Sequence, residues 1–197
     1  MLKGNSMIFG IEIPEKVDLD ARIMLGITIK ADQALIDQLQ KRTDLIYPVN
    51  FQIFGQASPI NKPDRIPPSY FKIVESDGQN IQFACISARM FGWHIGITRG
   101  ELLSKASLDE INRRLKKGSL SFCQVYDAIL LWNELKTHEK EQEYWIGVRP
   151  FKTKNLNDAI FQLRYDASDK LCLLIGNMDK NTTIASQSPI LLRYTPK

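Results

Sequence analysis

The sequence predicts an α+β fold that is built mainly from antiparallel sheet, with roughly ten strands and two short amphipathic helices. Short runs of apolar and β-branched residues recur along the chain and are separated by turn residues. Helical spacing of apolar residues appears in only two segments, and no sustained alternation of strand and helix indicates a parallel sheet. A hydrophobic fraction of 44% and a charged fraction of 24% are typical of a globular protein.

The first quarter of the chain predicts strands on both sides of one helix. Apolar runs at residues 7–13, 22–30 and 45–55 have strand character. Between them, the apolar residues of segment 32–42 follow a helical period, and Asp32 stands where an N-cap is expected. The sequence therefore predicts a β-β-α-β unit.

Segment 58–69 contains four of the nine prolines of the chain. Because each proline removes a backbone donor and restricts the residue before it, we expect no helix or strand longer than a turn here. We predict a single domain over residues 1–197. If the proline segment is a linker, residues 1–57 and 70–197 form two sub-lobes; it could also be an arm that lies across a neighbouring protein.

Several strands are predicted in the remainder of the chain. The pair Asp77-Gly78 favours a tight turn, so segments 70–76 and 80–86 are expected to form a hairpin. Residues 125–132 form a mainly apolar run that indicates burial. Alternating or apolar segments then predict the last strands, which lie at 144–149, 159–165, 171–175 and 190–194.

The second helix is predicted over residues 107–117. Ser107 and Glu110 have the spacing of a capping box, and Gly118 follows where a C-terminal cap is expected. On a helical wheel, four basic residues lie on the side of the helix opposite its apolar stripe or next to that side. These residues are Arg113, Arg114, Lys116 and Lys117.

Acidic residues explain part of this basic surface. Asp109 with Arg113, and Glu110 with Arg114, are predicted i, i+4 ion pairs. The two lysines that follow have no such explanation, although cations near a helix C-terminus are favoured by the helix dipole. The surface is therefore either an ordinary solvated face or a face that contacts phosphates.

Catalytic and metal-binding patterns are not found in the sequence. The two histidines and three cysteines lie far apart, so they lack the close pairs of a zinc site. The glycine segment 96–100 lacks the Gly-Lys-Ser/Thr ending of a phosphate-binding loop. We expect no cofactor, no bound metal and no enzymatic activity, although a Cys-His site assembled by the fold remains open. The odd number of cysteines and the lack of a long apolar stretch indicate a cytoplasmic protein that contacts no membrane.

Aromatic residues stand close to basic residues at several positions. Trp93 precedes Arg99, and Trp145 precedes Arg149 and Lys152. Such combinations are used to stack bases and to bind phosphates of single-stranded nucleic acid. With the net charge of +4, they favour a polyanionic partner.

A series of short segments resembles a small accessory protein family of type III-D CRISPR systems. The segments are Trp93–Gly96, Leu130–Trp132, Trp145–Arg149, Leu173–Gly176 and Leu191–Tyr194. The resemblance covers residues 91–194 only, and the chain departs from the family where two residues separate Trp93 from Gly96. It implies a non-catalytic subunit of an RNA-guided ribonucleoprotein that takes part in antiviral defence.

The sequence therefore predicts a non-catalytic subunit that binds nucleic acid, RNA rather than DNA, inside a larger assembly with other protein subunits. The residues expected to contact the nucleic acid are Arg113, Arg114, Lys116, Lys117, Trp93, Arg99, Arg149 and Lys152. The alternative hypothesis is a protein-interaction module of the inhibitor or immunity type. It would bind a partner protein through segment 58–69 and the charged segment 134–143.

Overall fold

Most strands of the chain belong to one large sheet that carries helices on both faces. The structure, a computed structural model, describes residues 6–8, 11–13, 24–39, 41, 46–51, 57–59, 66–73, 80–91, 96–136, 143–153 and 156–197. All statements about the fold concern these residues.

The described residues form thirteen strands. In chain order they are β1 (Ser6–Ile8), β2 (Ile11–Ile13), β3 (Met24–Lys30), β4 (Ile46–Phe51), β5 (Ala57–Pro59), β6 (Asn80–Ile86), β7 (Gly96–Thr98), β8 (Gly118–Ser121), β9 (Tyr144–Phe151), β10 (Ala159–Tyr165), β11 (Leu171–Asn177), β12 (Thr183–Ala185) and β13 (Ile190–Pro196). The helices are α1 (Gln33–Leu39), α2 (Arg99–Leu102), α3 (Lys105–Arg114) and α4 (Val125–Leu135), with 3₁₀ helices at Pro68–Phe71 and Ala88–Phe91.

Nine strands form the main sheet, in the order β3-β6-β13-β9-β10-β11-β4-β5, with β8 also paired to β13. Most neighbours are antiparallel, but β4 pairs with β11 and β9 pairs with β13 in parallel. Two further two-stranded sheets join β1 with β2 and β7 with β12. The last strand, β13, is central because it pairs with β6, β8 and β9.

The two faces of the main sheet are covered by different helices. Strand alternation directs Phe83 and Leu191 to one face, where α1 and α4 form a hydrophobic core with them. It directs Ala84 and Leu192 to the other face, where α3 forms a second core. Helix α4 is buried on nearly all sides, which its apolar sequence requires. No helix among the described residues combines the length and apolar composition needed to span a membrane.

The predicted α+β class is confirmed, whereas the predicted numbers of elements are not. Within the described ranges there are thirteen strands, nine of them in the main sheet, rather than roughly ten, and there are four α-helices rather than two. Prediction missed two helices, the single turn α2 and the longer α4, which arises from the run at 125–132. Asp127 is the one charged residue of that run, so the sequence shows no period that separates a buried strand from a buried helix.

Other local predictions had mixed outcomes. Asp32 does cap α1, since its carboxylate accepts from the N–H groups of Ala34 and Leu35 at 2.9 and 3.2 Å. The predicted hairpin of 70–76 with 80–86 is wrong, because β3 and β13 occupy both edges of β6. Its residues 74–79 lie outside the described part of the chain. The predicted strand at 7–13 is two short strands, β1 and β2, paired with each other.

The described ends of the proline segment contain little regular structure. Strand β5 ends at Pro59, and a single 3₁₀ turn begins at Pro68, while residues 60–65 lie outside the described part. Strands from both sides of this segment pair within the main sheet, as β3 pairs with β6 and β4 with β11. The division into sub-lobes stays a prediction.

The boundaries predicted for α3 are wrong at both ends. Its N-cap is Ser104, whose hydroxyl accepts from the N–H group of Ser107 at 3.1 Å, so Ser107 is the third residue of the helix rather than its cap. The helix ends at Arg114, and Leu115 is already extended. Beyond it, Lys197 donates from its side chain to the carbonyl of Leu115 at 2.6 Å. Lys116 and Lys117 therefore follow the helix instead of lying on its face.

Gly118 begins β8 and is not a helix cap. A Cβ at this position would overlap with the Cζ, Oη and Cε2 atoms of Tyr194 on β13. We predict that Gly118→Ala lowers the free energy of unfolding by about 1–3 kcal/mol, because it overpacks the β8–β13 contact. Urea denaturation would measure the change. In the Tyr194→Leu background the same substitution should cost clearly less; an equal cost in both backgrounds would contradict the explanation.

Candidate functional site

A polar cleft of about 990 Å³ opens between α3 and the end of β9. Residues 120–125, which connect β8 to α4, line it between these two walls. This connection is fixed to β9, since Cys123 forms a bridge with Val148 and donates its backbone N–H to the Gly147 carbonyl at 3.0 Å. We call this feature, lined by these segments and by Tyr70, the α3–β9 cleft.

Helix α3 is held in place along the cleft by Asn112. Its side-chain amide donates to the Leu120 carbonyl at 2.7 Å, and its side-chain carbonyl accepts from the Leu120 N–H at 2.6 Å. Because this amide satisfies both backbone groups of a residue in β8, it fixes the distance between helix and strand. The apolar face of α3, with Leu108, Ile111 and Leu115, is buried in the second core.

Three cations of the cleft come from its two walls. Lys105 is the first residue of α3, Arg149 lies near the end of β9, and Lys152 follows that strand. None of the three side chains forms an ion pair or a hydrogen bond with any residue in the described ranges. Arg149 instead lies over the ring of Phe122, with 5.1 Å between the guanidinium carbon and the ring centroid.

Strand geometry explains the direction of Arg149. Its neighbour Val148 points into the core under α4, so Arg149 points to the opposite face, toward the side where α3 lies. Tyr70 completes the cleft as an exposed aromatic residue, 37% accessible, whose ring centroid lies 5.3 Å from that of Phe151. Cations and an exposed ring therefore share one concave surface.

The cleft also contains carboxylates and amides. Asp109 on α3 and Asp158 on the opposite wall are exposed, and neither carboxylate has a hydrogen-bond or ion-pair partner in the part of the chain that the structure describes. Asn157 lies beside Asp158. The lining thus offers unpaired donors and unpaired acceptors, which suits a ligand that carries both kinds of group.

A fourth cation at the cleft, Arg193, has a structural role. Arg193 donates to both carboxylate oxygens of Asp127, at 2.6 and 2.9 Å, and to the Tyr126 hydroxyl at 2.8 Å. Asp127 also accepts from the backbone N–H of Gln124 at 2.7 Å, which caps α4. Since Asp127 is fully buried, this pair joins α4 to β13 beneath the cleft.

The described residues that the sequence predicted to contact nucleic acid lie in the cleft, at the start of α2 and at the end of α3. Arg149 and Lys152 line the α3–β9 cleft. Arg99 is 6% exposed at the start of α2, and its Nε has no partner among the described residues. Trp93 lies outside the described part of the chain. Trp145, the ring predicted to accompany Arg149, is buried in the second core.

The cations at the end of α3 are engaged in other contacts. Arg113 forms an ion pair with Glu110, three residues earlier, instead of the predicted pair with Asp109. Arg114, Lys116 and Lys117 each take part in interactions of their own. A role of these four residues in binding nucleic acid stays a prediction.

Sequence reasoning did not find Lys105 or Tyr70 as site residues. The positive end of the helix dipole destabilises a lysine in the first turn of a helix. A lysine at this position is therefore a weak sign that the residue has a function other than stabilising the helix. That signal was hidden because the helix was expected to begin at Ser107. Tyr70 carries no local signal, since only the fold brings it to β9.

The three thiols show no sign of nucleophilic activation. Burial raises the pKa of the Cys85 thiol to about 11. Burial, with the Asp127 carboxylate as the next cause, raises the pKa of Cys123 well above its usual range. Burial and then the Asp166 carboxylate raise the pKa of Cys172. All three are therefore protonated at neutral pH.

We predict that a disulfide reagent reacts slowly with these thiols in the native protein at pH 7.5. For Cys85, a pKa near 11 leaves about 100-fold less thiolate than in an unfolded chain, and the raised pKa values of Cys123 and Cys172 act in the same direction. All three rates should rise in 8 M urea, that of Cys85 by about this factor, as measured by the absorbance of the released thiolate. One thiol that reacts rapidly in the native protein would contradict this and would favour a cysteine nucleophile.

Comparisons with protein-family models, with curated proteins and with solved structures found no match for this chain. Across the described ranges, no group of three His, Cys, Asp or Glu side chains could hold a metal ion.

Proposed function

We propose that this protein is a non-catalytic subunit that binds single-stranded RNA in the α3–β9 cleft, within a larger ribonucleoprotein assembly. The observation that carries the proposal is the convergence of Lys105, Arg149 and Lys152 on one cleft, without an acidic partner among the described residues. Phosphate groups would supply the missing negative charge, and each contact would release counterions.

The aromatic residue supports a single strand over a duplex. Unstacked bases bind aromatic rings, and Tyr70 exposes its ring at the edge of the cleft. A volume of about 990 Å³ accommodates only a few nucleotides, so the cleft alone would bind weakly. Further protein subunits that hold the same strand would raise the affinity through effective concentration.

The resemblance of residues 91–194 to an accessory protein of type III-D CRISPR systems supports RNA over DNA as the ligand. It also suggests the kind of assembly, an RNA-guided effector complex that acts in antiviral defence. We propose a cytoplasmic location on the ground of the odd number of cysteines and the lack of a long apolar stretch in the sequence. The family members are non-catalytic, in agreement with the proposed role.

Binding to short RNA tests the proposal directly. Fluorescence anisotropy with a labelled 12-nucleotide single strand at about 50 mM salt should show saturable binding, weaker for the matching duplex. The protein prepared from its own cells should carry RNA, with a raised ratio of absorbance at 260 and 280 nm. Absence of binding at this salt concentration would refute the proposal. A single stoichiometric protein in the preparation would favour the protein-interaction alternative.

A further inference from the structure

We infer that the α3–β9 cleft selects guanine among the RNA bases, through Lys105 and Asp109. This inference rests on the proposed function and adds a base preference to it. Both residues line the cleft, and neither side chain has a hydrogen-bond or ion-pair partner in the described part of the chain.

The spacing of the two residues on α3 provides the first step. Lys105 and Asp109 are four residues apart in the same helix, which places their Cβ atoms about 5 to 6 Å from each other on one face. The lysine comes before the aspartate, the less favourable order for an ion pair within a helix. The helix thus presents a donor and an acceptor side by side on one face.

The second step is the match to base edges. The Watson–Crick edge of guanine presents the acceptor O6, then the donors N1–H and N2–H₂. A lysine ammonium donates to O6, while the two oxygens of a carboxylate accept from N1–H and N2–H₂ together. Uracil offers a carboxylate one donor beside an acceptor, and adenine and cytosine present the donor and acceptor in the reverse order.

The remaining lining residues fit the same pose. Tyr70 offers a ring on which a base can stack, and Arg149 and Lys152 on the opposite wall can hold the flanking phosphates. A cleft meant for phosphates alone would not gain from an unpaired carboxylate, since Asp109 repels phosphate. Its presence among unpaired cations is explained if it accepts hydrogen bonds from a base.

The test uses labelled nine-nucleotide RNA made of uridine with one variable central position. Guanosine at this position should bind about tenfold more tightly than adenosine or uridine, the typical discrimination of one bidentate contact. Inosine lacks the N2 amino group and should fall between guanosine and adenosine. Asp109→Asn should abolish the difference between guanosine and inosine without weakening the uridine strand, because it removes a negative charge.

The matched control is Asp158→Asn, which changes the unpaired carboxylate of the opposite wall. This variant should keep the preference for guanosine over inosine. Equal affinity of the wild-type protein for all central bases, or a preference that survives Asp109→Asn, would overturn the inference while leaving RNA binding intact. If no RNA binds at all, the proposed function and this inference fall together. Unchanged circular dichroism, with an affinity for the uridine strand that is no lower than that of the wild-type protein, would show that each variant is folded.

Discussion

Replacing Asp127 by Asn is expected to lower the free energy of unfolding by about 3–5 kcal/mol. Asp127 is fully buried and receives two hydrogen bonds from Arg193 and one from the backbone of Gln124. The amide would leave the guanidinium of Arg193 buried without a counter-charge and would replace one acceptor oxygen by a donor. Urea denaturation, followed by circular dichroism, measures the change.

A double variant controls for the charge. Asp127→Leu with Arg193→Met removes both ions and keeps apolar volume, so it should be less destabilised than Asp127→Asn alone. The comparison separates the cost of an unpaired charge from the loss of packing. If Asp127→Asn costs less than about 1 kcal/mol, or if the double variant is the less stable one, the pair does not hold α4 to β13 as described.

The second large effect concerns the cations of the cleft. The triple variant Lys105→Gln, Arg149→Gln and Lys152→Gln should weaken binding of single-stranded RNA on the order of 100-fold at about 50 mM salt. The slope of log affinity against log salt should fall by about 2, since each phosphate contact on a single strand contributes about 0.7. Stability should change little, because these side chains form no ion pair with described residues.

The matched control removes the cations at the end of α3. These are Arg113, Arg114, Lys116 and Lys117. Changing all four to Gln lowers the net charge by four, more than the triple variant does, so a purely non-specific effect of charge would be larger here. We expect a smaller loss of affinity and a smaller change of slope. The reverse order would move the binding surface to the end of α3, as the sequence predicted.

The fold class was predictable because the strands carry a clear alternation, as in β10, where Phe161 and Leu163 face the core under α4. Boundaries were less predictable. Ser104 and Ser107 are both good N-caps by residue type, and the helix begins after Ser104, whose hydroxyl accepts from the N–H group of Ser107. Helix α4 was missed because burial on all sides removes the polar residues that reveal a helical period.

The candidate site was predictable only in part. Arg149 and Lys152 were selected because basic residues near aromatic residues favour contact with nucleic acid. Lys105 and Tyr70 are distant in sequence from them, and the fold alone brings the four residues to one cleft. Trp145, by contrast, suggested a stacking surface but lies in the core, since a strand directs alternate residues to opposite faces.

Ultraviolet cross-linking tests most directly whether RNA occupies the α3–β9 cleft. A 12-nucleotide single strand would be irradiated in complex with the wild-type protein, and the cross-linked peptides identified by mass spectrometry. We predict cross-links at Tyr70 and in the peptides that contain Lys105 and residues 149–152, all lost with the triple variant. Cross-links confined to residues 113–117, or unchanged by the triple variant, would contradict the account.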